Sequence, residues 1–159
     1  MLSFAMADRK LQRTTLQPDF AILVVGATRE VADRLNAAVR QAGIEDMRAP
    51  FGFVIRALAD TPLALTALAE RLGVTKQAAI KVVDEMEARG FLTREPHPTD
   101  RRAKQLTLTD RGLAVRAAAL AESHRMEAEL RAALGDADVD AFRRVMTTFG
   151  GGSHARPVW

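Results

Sequence analysis

The apolar positions of the chain repeat mostly at helical spacing, with one interruption. Between residues 19 and 41, Ile22, Val25, Val31, Leu35, Ala38 and Val39 recur mostly three, four or seven apart, which is the period of one helix face. Pro18 and Asp19 suit the start of that helix and Gly43 its end, while Gly26 weakens its middle. A loop is predicted over 44–49. A short helix follows over 50–59, carrying Phe51, Val54, Ile55 and Leu58. Asp60-Thr61-Pro62 breaks the chain, and Leu63-Ala64-Leu65 is short and apolar. Thr66 is expected to cap a helix over 67–72 that Gly73 ends. Thr75 is expected to cap another that runs to Arg89 and is closed by Gly90.

The pattern then changes. Phe91 to Glu95 and Lys104 to Leu108 read as two short strands. Between them lie two prolines and a cluster of charges, Pro96 to Ala103, so the pair forms a hairpin with a long tip. Thr109 is expected to cap a long helix over 110–134, despite Gly112 in its first turn, and Gly135 to end it. A last helix over 137–149 places Val139, Phe142, Val145, Met146 and Phe149 on one face. Residues 1–18 read as an arm and 151–159 as a tail. The fold class is mainly α with a small β-hairpin (α+β).

Composition narrows the chemistry. With 48% hydrophobic and 27% charged residues, the chain is an ordinary globular protein. It has no cysteine, which excludes disulfides, thiolate nucleophiles and zinc–thiolate sites and fits a reducing cytoplasm. No stretch is apolar enough to span a membrane, and the N-terminus lacks the apolar core of a signal peptide. VVGATREV, residues 24–31, offers a lone Gly26 where a nucleotide-binding loop needs several glycines. His97, His124 and His154 show no metal-ligand spacing, and Ser123 and His124 point in different directions on one helix. No enzyme, metal site or cofactor is expected.

The net charge of +3 and pI near 9.9 are mildly basic, and the placement of the charge says more than its total. Two capped helices joined by Gly73-Val74 have the form of a helix-turn-helix. In the second, Ala79, Val82, Val83 and Met86 share one face, free to pack on Leu68, Leu72 and Val74. The other face carries Lys76, Gln77, Ile80, Lys81 and Asp84. That division suits a helix entering a DNA major groove about 12 Å wide. Gln77 suits a base edge, Lys81 a phosphate or guanine, and Thr75 a phosphate at the helix start. The hairpin adds Arg94, Arg101, Arg102 and Lys104 against Glu95 and Asp100. This makes it a wing whose arginines suit the narrow minor groove.

These residues carry a resemblance. LTALAERLGVTKQAAIKVVDEMEARGFLTRE, followed by PTDRRAKQLTLTDRG, resembles the MarR family of bacterial transcription regulators, and the resemblance is specific from Leu63 to Gly112. It implies a winged helix-turn-helix at 60–110. Residues 19–59 and 111–150 would supply N- and C-terminal dimerisation helices. It further implies a homodimer on a pseudo-palindromic duplex, repression, and release by a small, often aromatic, ligand. The family's helix contacts fall on Thr75, Lys76, Gln77 and Lys81 and its wing contacts on Arg101 and Arg102. Ile80 departs from the family's small polar residue and suits a thymine methyl; Ala78 likewise offers only an apolar contact. Phe51, Phe53, Arg56 and His124 are candidates for an aromatic acid, since aromatic walls with a cation suit one. The competing readings are an architectural or protein-interaction module and a small nucleotide-binding enzyme at Gly26.

Overall fold

Residues 19–96 and 104–149 are described in a computed structural model of the chain. Their elements in order are α1 (Phe20–Gln41), α2 (Ala49–Ala57), β1 (Leu63–Ala64), α3 (Leu65–Leu72), α4 (Lys76–Ala88), β2 (Leu92–Pro96), β3 (Lys104–Leu108), α5 (Asp110–Leu134) and α6 (Asp136–Phe149). Three helix starts have the caps that their residues suggest. Asp19 Oδ1 accepts from the Ala21 amide at 2.7 Å, Thr75 Oγ1 from Ala78 at 3.2 Å and Thr109 Oγ1 from Gly112 at 3.2 Å. Each satisfies an amide that a helix start leaves unpaired.

The cap expected at Thr66 does not form. α3 starts at Leu65, with Ala64 as its N-cap and no side-chain bond. The cause is β1, which pairs antiparallel with β3 through Leu63 opposite Leu106 and Ala64 opposite Gln105. The chain passes from that strand straight into α3, which places Thr66 inside the helix. The hairpin therefore gains a third strand, in the order β1-β3-β2. Leu92 faces Leu108 and Arg94 faces Leu106 across its other edge.

One buried cluster joins α2, α3, α4, the sheet and the start of α5. Phe51, Leu68, Val83, Met86 and Phe91 are wholly buried in it, and Leu92, Leu106 and Val115 are among its other members. Each such side chain stabilises the fold by about 1.5–3 kcal/mol relative to exposure. Val39 and Ile44 enter this cluster from the end of α1. α2 therefore shares its core with α3 and α4, so the boundary expected at residue 59 runs through a packed unit.

α5 leaves the cluster after Ala118, packs along α1 and meets α6. Its first turn explains Gly112: a Cβ there would lie 2.2 Å from the Phe91 carbonyl oxygen. Only glycine lets the helix start this close to the chain leaving α4. The outer helices leave apolar side chains in solvent, among them Phe20, Ile22, Val25, Phe142, Val145 and Phe149.

Candidate nucleic-acid interface

The turn between α3 and α4 is set by Gly73, which takes the left-handed conformation at φ 68°. The Val74 amide then donates to the Ala69 carbonyl at 3.0 Å, closing the end of α3 in the manner of a glycine cap. From there Thr75 starts α4. Ala79, Val83 and Met86 are buried, whereas Thr75, Lys76, Gln77, Lys81 and Asp84 are exposed. Ala78 and Ile80 are half-buried between the two faces. No acidic residue lies in the first turn of α4, so its free amides and Lys76 together form a region that favours anions.

The sheet sits beside α4. Lys104 is exposed at the start of β3. Arg94, expected among the cations open to DNA, is bound within the protein. Its guanidinium pairs with Asp84 and Glu87 of α4, and its side chain is 23% exposed. The two carboxylates draw it onto the helix, neutralising the acidic half of α4 and holding β2 against it. Arg101, Arg102 and Asp100, the tip of the expected wing, lie outside the described residues, as does His97.

The ligand candidates do not share an open surface. Phe51 is wholly buried, edge-on to Phe91 at 5.6 Å between ring centres and covered by the Arg89 guanidinium. It is packed in the core. Phe53 is half-buried against the same cluster, Arg56 is exposed on α2, and His124 is exposed on α5. Residues 24–31 lie within the continuous helix α1, so Gly26 forms no phosphate loop. Among the described residues no group of His, Asp and Glu side chains could hold a metal, and no helix is long and apolar enough to cross a membrane.

Ion pairs dominate the outer helices. Arg34 of α1 reaches the buried Glu122 at 2.6 Å and Glu129 at 2.6 Å, both on α5. Arg131 of α5 binds Glu127 of its own helix and Asp136 and Asp140 of α6. The hydrogen bonds it donates to Glu129 and Glu122 hold the Arg34 guanidinium above its ordinary pKa. The reciprocal bonds lower the carboxyls of Glu129, through Arg34, and Glu127, through Arg131. Sequence spacing shows the Glu127–Arg131 pair, four apart on one helix face. It gives no signal for Arg34, whose partners are 88 and 95 residues away.

A family model described as MarR family matches residues 53–103. A Thauera aromatica protein assigned to regulation of the hcr operon is 31% identical over 86 residues, 54% of this chain and 52% of its own. The transcriptional regulator HosA of Escherichia coli O111:H- is 30% identical over 107 residues, 67% of this chain and 79% of its own. The chain thus spans about half the length of the first relative and most of the second. The transcriptional repressor CouR, solved with a 23-mer DNA duplex, superposes with a TM-score of 0.62 at 26% identity, covering 83% of this chain and 92% of that one.

Proposed function

The chain belongs to the MarR family of transcriptional regulators, and from that premise we propose that it is a homodimeric repressor reading a pseudo-palindromic duplex, one α4 per half-site. The observation that carries this reading is the outward face of α4, where Thr75, Lys76, Gln77 and Lys81 are exposed beside a sheet ending in Lys104. Gln77 and Lys81 read base edges in the major groove, and Thr75 and Lys76 hold phosphate. Arg101 and Arg102 supply charge to the minor groove. Arg94 braces the wing and leaves the DNA to them. Residues 60–110 contact DNA, and the outer parts of 19–59 and 111–150 dimerise. The exposed apolar faces of α1 and α6 support the dimer. The repressor CouR, seen on a 23-mer, supports a site of about two helical turns. An aromatic ligand releases the DNA; of its candidate residues Phe53, Arg56 and His124 keep exposed surface, while Phe51 is packed in the core.

Selection from random duplex DNA tests the proposal. The expected product is an inverted repeat whose log affinity falls with log salt by about 0.9 per phosphate neutralised. Substituting Arg102→Ala should weaken binding to all sequences and flatten that slope, while Gln77→Ala should relax base preference. Enrichment of no sequence would favour an architectural module instead. Repression is tested by a reporter behind the selected site, whose output should rise when the gene is deleted.

A further inference from the structure

The chain passes between the outer helices and the shared core twice, through the connection at 42–48 and through the start of α5. Both passages meet at Asp46. Its Oδ1 accepts from Arg111 Nη2 at 2.6 Å, in the first turn of α5. Its backbone carbonyl accepts from Arg89 Nη1 at 3.1 Å, and Arg89 is the residue that caps the C-terminal end of α4. Arg111 also donates to the Arg89 carbonyl. Each guanidinium covers a ring of the core: Arg111 lies 4.4 Å from the centre of Phe91 and Arg89 5.6 Å from that of Phe51. Glu85 of α4 braces the arrangement, accepting from Arg89 at 2.7 Å and pairing with Arg48 at 2.9 Å.

Main-chain contacts make the same junction stiff. Thr109 donates its hydroxyl to the Gly90 carbonyl at 2.6 Å and its amide to the Phe91 carbonyl at 3.2 Å. The absent side chain of Gly112 lets α5 rest on that carbonyl. The end of α4, the start of α5 and the connection from α1 are therefore pinned at one place. Planar guanidinium forks that are both hydrogen-bonded and stacked on rings permit little rotation.

We propose that this joint sets the angle between α4 and the outer helices, and hence the half-site separation that the dimer accepts, with Asp46 as its positioning residue. The inference rests on the dimeric DNA-binding reading above. A dimer with stiff joints presents its two α4 helices at one separation, and loosened joints let each find its half-site independently.

The test uses the full chain and the selected duplex, with one or two base pairs added or removed between its half-sites. Wild type should lose about tenfold or more in affinity at the altered spacings, the scale of a mismatched site. Asp46→Asn, which keeps the side-chain shape, should bind all spacings within about threefold of one another and keep its base preference within each half-site. Arg111→Lys, which keeps the charge and loses the fork, should move in the same direction. Arg116→Ala, which cuts the exposed pair between α5 and Asp60 in the turn after α2, should discriminate like wild type. Undiminished spacing discrimination in folded Asp46→Asn overturns the proposal, as does equal weakening at every spacing. If wild type enriches no duplex at all, the DNA-binding reading fails first and the spacing inference falls with it.

Discussion

The shared core and the outer helices are built on different interactions. In the core, Phe51, Leu68, Val83, Met86 and Phe91 are wholly buried, while at the far end of the molecule Phe20 is 63% exposed and Phe149 72%. The core is closed by its own apolar surface. The outer helices are tied within one chain by the forks of Arg34 and Arg131, with the buried Val139 and the edge-on rings of Phe20 and Phe149 beside them, and they leave other apolar side chains exposed. An isolated chain has no apparent use for a row of exposed phenylalanine, isoleucine and valine, and patches of this kind mark association surfaces. The contrast separates a region closed by its own apolar surface from an outer layer that keeps an apolar face exposed, which is the face the proposed dimer uses.

The largest predicted effect separates these two kinds of burial. Phe91→Ala should cost about 3–5 kcal/mol, read as a lower denaturant midpoint at any protein concentration. Phe149→Ala should change the midpoint little when the chain is dilute. It should instead shift the monomer–dimer equilibrium toward monomer in sedimentation experiments, because the ring it removes is exposed in one chain. A Phe149→Ala loss as large as that of Phe91→Ala, and independent of concentration, would remove the distinction.

A pair of glycines sharpens the comparison at smaller magnitude. Gly112 stands where the core meets α5, with the Phe91 carbonyl 2.2 Å from any added Cβ. Gly112→Ala should therefore destabilise the chain by about 1–3 kcal/mol, through forced displacement of packed backbone. Gly26 lies in α1 with nothing within 4 Å of an added Cβ. Gly26→Ala should stabilise by about 0.5–1 kcal/mol, because alanine is the better helix former. Equal and same-signed shifts in melting temperature for the two variants would contradict the close approach at Gly112.

These positions also show what could be read without coordinates. Capping chemistry is local, so Asp19, Thr75 and Thr109 were legible from residue type and the following helical period. The inward and outward faces of α4 were legible for the same reason. β1 was not, because two residues are too short to show an alternating pattern and its partner lies more than forty residues on. That unseen strand is what misplaced the cap at Thr66. Arg94 was legible as a cation and not as a bound one, since nothing in a strand's sequence says which helix carboxylates lie beside it. Phe51 shows a different gap. An aromatic side chain near an arginine suits a ligand site or a core equally well, and its packing on Phe91 is not visible in the sequence.

The smallest effect concerns pH and bears on the charged layer alone. Glu127 and Glu129 are held below their ordinary values by hydrogen bonds from Arg131 and Arg34. In the unfolded chain those partners are absent, so both carboxyls take up protons at a higher pH than they do when folded. The unfolded state then binds more protons, and stability falls as pH drops. The stabilisation is fully present above the ordinary carboxylate range and disappears as pH passes below the lowered values of the folded chain. Both side chains are partly exposed, so the effect is small and is reduced further by salt. Hydrogen exchange across this window should show faster opening of α1 and α6 while the amides of Val83 and Met86 stay protected. The double substitution Glu127→Gln with Glu129→Gln should flatten the acid slope of the denaturant midpoint. An unchanged slope in that variant would mean that the outer helices are held by something other than these forks, and the contrast with the core would then need another basis.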